Sequence, residues 1–190
     1  MGFLQDKLHV LVPAKPTHFI YILILTGLLA VSNILLLEGP RQYAGFGLAL
    51  ILAWACVIDL TRYRLPDILT WSMILSGLVF AGLFEVETLT SAVIGAGLGY
   101  AAFALVRWAF LRLRGKEGLG LGDAKLLAGC GAWLGWLALP GVLLIASATG
   151  LAFVVVLAIG LRKTVTRIAF GPAIILGFWW VWLFGPVGVY

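Results

Sequence analysis

The chain has 190 residues, 63% of them hydrophobic and only 11% charged, and its mean hydropathy is +1.11. A water-soluble domain this small cannot cover so much apolar surface, so lipid must solvate much of it. The formal charge of +5 does not indicate nucleic acid: the basic residues sit in short loops between apolar runs, which is a membrane topology signal.

In chain order, residues 1–17 form a short polar lead with Lys7 and Lys15, and His9 and His18 flank Pro13 and Pro16 before the first apolar run. Phe19–Leu37 is uncharged and long enough to cross a bilayer as a helix. Small residues at Ala30-Val31-Ser32 suit a signal-peptide cleavage site. The apolar run continues past them, however, so an anchor is expected. Glu38-Gly39-Pro40-Arg41 reads as a turn. Tyr43–Ile58 is a second run, closed by Asp59, and a basic loop ends in Arg64-Leu65-Pro66. Asp67 then follows in the first turn of a third helix, Ile68–Phe84, where the helix dipole favours an acid. After an acidic turn at Glu85 and Glu87 comes a fourth run, Leu89–Val106. Its Gly95, Gly97 and Gly99 read as close helix packing, since no strand–turn–helix context supports a dinucleotide fingerprint.

Arg107 through Gly122 is the longest polar connection. Leu126–Leu161 is uncharged throughout and too long for one span, and Pro140-Gly141 is expected to divide it. Its first half is a short helix closing near Trp133 and Trp136, both read as belonging to an interfacial aromatic belt. Arg162, Lys163 and Arg167 form a basic loop before a last run, Ile168–Tyr190. Cys56 and Cys130 lie far apart inside apolar runs and read as small buried hydrophobes. No metal site is expected.

The expected fold is therefore all-α: a single integral membrane domain over residues 1–190, a polytopic bundle of about seven transmembrane helices. Alternating the loops across the bilayer puts 12 of the 13 basic residues on one side, with Arg41 alone on the other. By the positive-inside rule the N-terminus is cytoplasmic and the C-terminus outside. Asp59 ends the second helix and Asp123 begins the fifth, so both fall on the cytoplasmic side at similar depth.

Acids at a membrane segment face a polar cavity or a partner. Two carboxyls within a few ångströms share a proton; the ionised one can deprotonate water while the other protonates a scissile carbonyl. That is aspartic-protease chemistry, needing neither metal nor covalent intermediate. Gly118, Gly120 and Gly122 could form an extended edge against which a substrate strand pairs. The plainer alternative is a flexible loop with Asp123 capping the helix that follows. The helix ends suggest that Asp123, at an N-terminus, carries the charge and Asp59, at a C-terminus, the proton. A transporter or assembly scaffold using these acids for protons or contacts is the reading from a different class.

Gly120-Leu121-Gly122-Asp123 matches the G-x-G-D signature of intramembrane aspartic proteases. Ile58-Asp59 with Arg64-Leu65-Pro66-Asp67-Ile68-Leu69-Thr70, then Gly120 through Leu127, Gly131-Ala132-Trp133-Leu134-Gly135, and Phe170-Gly171-Pro172 together resemble bacterial type IV prepilin peptidases over about residues 43–185. Ile58 and Lys125 favour this family over presenilin-like and signal-peptide-peptidase-like proteases. The resemblance implies Asp59 and Asp123 as the catalytic pair, supported by Gly120, Gly122 and Lys125, in the bacterial inner membrane. The implied substrate is a type IV prepilin or pseudopilin precursor, cut after a glycine just before an apolar helix at the cytoplasmic face. Glu117 is an acid placed to help receive a basic leader. Long members carry an N-terminal region with paired cysteines linked to methylation of the new N-terminus. This chain lacks such a pair and resembles the short members, which leaves methylation open, so S-adenosylmethionine is expected as a cofactor only if that activity is retained.

Overall fold

The computed structural model describes residues 15–84, 89–115, 120–161 and 169–185. Among them are seven α-helices: α1 Pro16–Leu36, α2 Pro40–Arg62, α3 Asp67–Phe84, α4 Leu89–Arg114, α5 Leu121–Leu134, α6 Leu139–Leu161 and α7 Gly171–Phe184. A single 3-10 turn, Trp136–Ala138, joins α5 to α6, and the described residues include no strand. Several expected features lie outside the described residues: the lead with Lys7 and His9, the acidic turn at Glu85 and Glu87, Lys116, Glu117 and Gly118, the basic loop Arg162, Lys163 and Arg167, and residues 186–190.

Five helices (α1 to α4, and α6 with the turn before it) are long and apolar enough to cross a membrane. Their outward faces carry large bare side chains, among them Leu23, Leu35, Leu83, Leu105 and Ile159. On a lipid-solvated bundle that exposure carries no penalty, whereas in water it would mark an aggregating surface. The two remaining helices, α5 and α7, have 14 residues each. At 1.5 Å per residue each rises only about 21 Å, short of a hydrocarbon core.

The short helix α5 is the axis of the fold. Every residue from Leu126 to Leu134 is buried, so it is enclosed by protein and not by lipid. The contact with α4 is close enough to need glycine on both helices. A methyl on Gly95 would collide with the Gly131 carbonyl, and one on Gly99 would sit 2.5 Å from the Leu127 carbonyl oxygen. Gly97 faces open space. Of the three α4 glycines, the two spaced four apart make the packing face.

Three expectations are corrected. The division of the long apolar run falls at Gly135 (φ +75°); the positive φ is accessible to glycine. Pro140 instead occupies the first turn of α6, which tolerates it. Trp133 is a core residue, 6% exposed. It stacks on Phe80 at 5.0 Å and donates Nε1–H to the Met73 carbonyl at 2.9 Å. It turns inward because α5 is surrounded, whereas Trp136 in the turn beyond it is exposed. Finally, α4 runs on to Arg114, two turns past Val106. A helix leaving the bilayer continues as long as its residues keep helical propensity, and Arg and Leu do.

At the end of the bundle opposite Asp59, a small polar clasp joins α1, α2 and α7. Asn33, fully buried, donates from Nδ2 to the Gln42 carbonyl at 2.6 Å. Arg41 lies over the Trp182 ring, 4.9 Å from its centroid.

Candidate active site

The site is assembled from the C-terminal end of α2 and the N-terminal ends of α3, α5 and α7. Asp59 lies in the last turn of α2. That helix stops at Tyr63, whose left-handed backbone (φ 53°, ψ 36°) ends it while its amide bonds the Asp59 carbonyl at 2.8 Å. The chain then turns sharply through Leu65 and Pro66 into α3. Asp59 itself is 4% exposed, and its Oδ2 accepts the Gly171 N–H at 3.0 Å from the first turn of α7.

Asp123 is the third residue of α5, after the extended N-cap Gly120. An acid there reaches back to the N-cap backbone, and a methyl built on Gly120 would lie 3.4 Å from Asp123 Oδ2. The capping role is thus present. The neighbour of Asp123, Gly122, and the residue that bonds Asp59, Gly171, both abut Leu65, so the two acids belong to helix ends that meet at one side chain.

Leu65 is the wedge that sets this spacing. A methyl on Gly122 would lie 2.9 Å from Leu65 Cβ, and a methyl on Gly171 would lie 3.4 Å from Leu65 Cδ1. One buried side chain from the α2–α3 loop therefore touches the start of α5 and the start of α7. This gives Gly122 its reason: it is helical, and it is small so that the loop can approach. The extended edge expected over Gly118, Gly120 and Gly122 is reduced to Gly120, since α5 already begins at Leu121 and Gly118 lies outside the described residues.

Lys125 does not reach the acid pair directly. Its Nζ pairs with Asp67 Oδ1 at 2.6 Å, tying the first turn of α5 to the first turn of α3. Asp67, expected as a helix-start acid, is at that position and has this second task. The α7 start is a further site element, anchored by Phe170 against Phe103, with ring centroids 6.1 Å apart. The reading by helix ends also needs correction. Asp59 closes α2, but the N-terminus of α7 abuts its carboxyl, so both acids face a helix N-terminus and that argument no longer separates them. Among the described residues, no three His, Cys, Asp or Glu side chains come together in a group able to hold a metal ion.

These features define a class: a polytopic helical bundle with apolar, span-length helices, in which two acids from separate helices are brought together at one end. Residues 46–155 match the type IV leader peptidase family, and the chain belongs to that family. It is 42% identical over 148 residues to a prepilin leader peptidase/N-methyltransferase of Pectobacterium carotovorum subsp. carotovorum, covering 77% of this chain and 53% of the relative. Proteins of the same name from Escherichia coli K12 and Aeromonas hydrophila are each 46% identical, over 121 and 143 residues, covering 64% and 72% of this chain. The chain spans about half the length of these relatives. No solved structure matches it.

Proposed function

We propose that this chain is a membrane aspartic endopeptidase that removes the leader from type IV prepilin or pseudopilin precursors. The observation that carries the reading is that Asp59 and Asp123, 64 positions apart in sequence, lie on helix ends that meet at one side chain: Leu65 abuts both Gly122 and Gly171, and the Gly171 amide bonds Asp59. Two such carboxyls hold one proton between them. The ionised member takes a proton from water as it attacks the scissile carbonyl carbon. The protonated member gives its proton to the carbonyl oxygen. Collapse of the tetrahedral adduct breaks the C–N bond, and a proton passes to the leaving amine.

The substrate class follows from the relatives' names and from the site's position. Helix ends, where an apolar segment meets water, are where a junction between a polar leader and an apolar helix would lie. The charge asymmetry of the loops supports a cytoplasmic position for this end, and the family supports the inner membrane. Gly120 puts no side chain beside the Asp123 carboxyl, Gly122 lets Leu65 pack on the start of α5, and Lys125 positions α5 through Asp67. Proteolysis by this route requires no cofactor. S-adenosylmethionine belongs only to the second activity in the relatives' name, and the proposal is confined to the first.

Co-expression with a candidate prepilin tests the substrate. The expected result is a shortened pilin only when the chain is present, with the cut at the leader boundary. An unprocessed prepilin alongside cleavage of unrelated membrane peptides would contradict the substrate class. No cleavage of either, with transport or assembly affected instead, would contradict the enzyme.

A further inference from the structure

We infer that the backbone amide of Gly171 is a working part of the acid pair: it holds Asp59 by Oδ2, so that Asp59 exchanges its proton through Oδ1. The inference rests on the proteolytic reading above and adds a third helix to the site.

Four observations converge on this amide. It lies 3.0 Å from a carboxyl oxygen that is almost wholly shielded from solvent. It is also the amide that the first turn of α7 has to spare. Pro172 has no N–H, and the amides of Ala173 and Ile174 bond the Phe170 carbonyl at 3.1 and 3.2 Å. A side chain at this position would push the carboxyl aside, since a methyl on Gly171 would lie 2.6 Å from Asp59 Oδ2 and 3.1 Å from its Cγ. Glycine is not needed here for its backbone freedom: the glycines with positive φ are Gly39, Gly115, Gly135 and Gly185, and Gly171 is not among them. What the position requires is closeness to the carboxyl.

The chain around Gly171 holds that aim. Phe170 packs against Phe103 of α4, and a methyl on Gly150 of α6 would meet its ring at 3.2 Å. The α7 N-terminus is thus pinned from two other helices. Its amide fixes the plane of the Asp59 carboxyl and presents the positive end of the helix to it. Without that donor the carboxyl could rotate, and the oxygen facing Asp123 and water would no longer be set.

The test uses the full chain, purified and reconstituted with a prepilin-type peptide spanning the cleavage site. Gly171→Ala is expected to lower kcat about 10- to 100-fold, the range of one charge-assisted hydrogen bond, with KM unchanged. Gly45→Ala is the control: its methyl would collide with the Asn33 side chain, at the end of the bundle opposite Asp59, so it lowers the unfolding midpoint but leaves kcat of the folded protein intact. Wild-type kcat in Gly171→Ala, or an equal kcat loss in Gly45→Ala, overturns the inference. Should Gly171→Ala not fold, Phe170→Leu loosens the same anchor and carries the same expectation of lower kcat at unchanged KM. Asp59→Asn, assayed in parallel, separates the two levels. Full cleavage in it removes the proteolytic reading itself, while no cleavage in it with wild-type Gly171→Ala removes only the role of the amide.

Discussion

Alanine at Gly97 and at Gly99 should have opposite effects, although the two are neighbours in one glycine-rich helix. At both positions alanine gains about 1 kcal/mol of helix propensity over glycine. At Gly97 nothing lies within 4 Å of the new methyl, so the gain stands. At Gly99 the methyl would be 2.5 Å from the Leu127 carbonyl oxygen, and ordinary contact begins at 3.4 Å. Either α4 or α5 must therefore retreat by about 0.9 Å (3.4 minus 2.5). The obstacle is backbone and cannot swing aside, so overpacking costs about 1–3 kcal/mol. Because the propensity gain is common to both variants, it cancels in their difference, leaving that 1–3 kcal/mol as the gap between them. For a chain of this length it corresponds to about 2–12 °C in unfolding midpoint, readable by thermal unfolding in detergent. Leu127 is one turn from Asp123, so the retreat also displaces the acid. Misplacements near 1 Å can cost about 100-fold in rate, and leader removal should fall in Gly99→Ala and not in Gly97→Ala. Equal midpoints for the two variants would refute the packing argument.

Three further outcomes are expected. Trp133→Phe keeps the stacking on Phe80 but orphans the buried Met73 carbonyl that the indole N–H now serves, so unfolding in detergent should show a loss of about 1–3 kcal/mol. The Lys125–Asp67 pair is partly exposed, at 20% and 54%, so removing Lys125 should cost less than about 1 kcal/mol; leader removal should drop modestly in Lys125→Met and in Asp67→Asn, and recover when the charges are exchanged in Asp67→Lys/Lys125→Asp. On the topology proposed from the charge count, a phosphatase fused after residue 190 should be active; an inactive fusion would invert the proposed faces.

Much of this architecture is legible in the residue order. Uncharged runs bounded by basic loops mark the helices, and a carboxylate at the edge of such a run is conspicuous because it is costly there. Asp59 and Asp123 could be brought to one side by counting loops alone. What escaped has a common cause. Periodicity describes a helix against a generic apolar surround, whether lipid or protein. It therefore does not show that α5 from Leu126 onward is enclosed by protein, so Trp133 at its end reads as interfacial although it is buried. It also could not tell Gly97 from Gly95 and Gly99, which differ only in what faces them across the helix contact. The Gly171 amide carries no side chain, so nothing in the Phe170-Gly171-Pro172 pattern says that it bonds Asp59. The pairing of Lys125 with Asp67 crosses 58 positions, and charge alone did not select it from the other basic residues.

The central claim is that Asp59 and Asp123 act as one catalytic pair. The most direct measurement is the rate of leader removal by the reconstituted chain carrying Asp59→Asn or Asp123→Asn singly, and then both together. Each single change should lower kcat by at least about 100-fold, and the double variant should be no slower than the slower single, because residues acting as a unit lose their effect together. Substantial cleavage in either single variant, or losses that multiply in the double, would contradict the account.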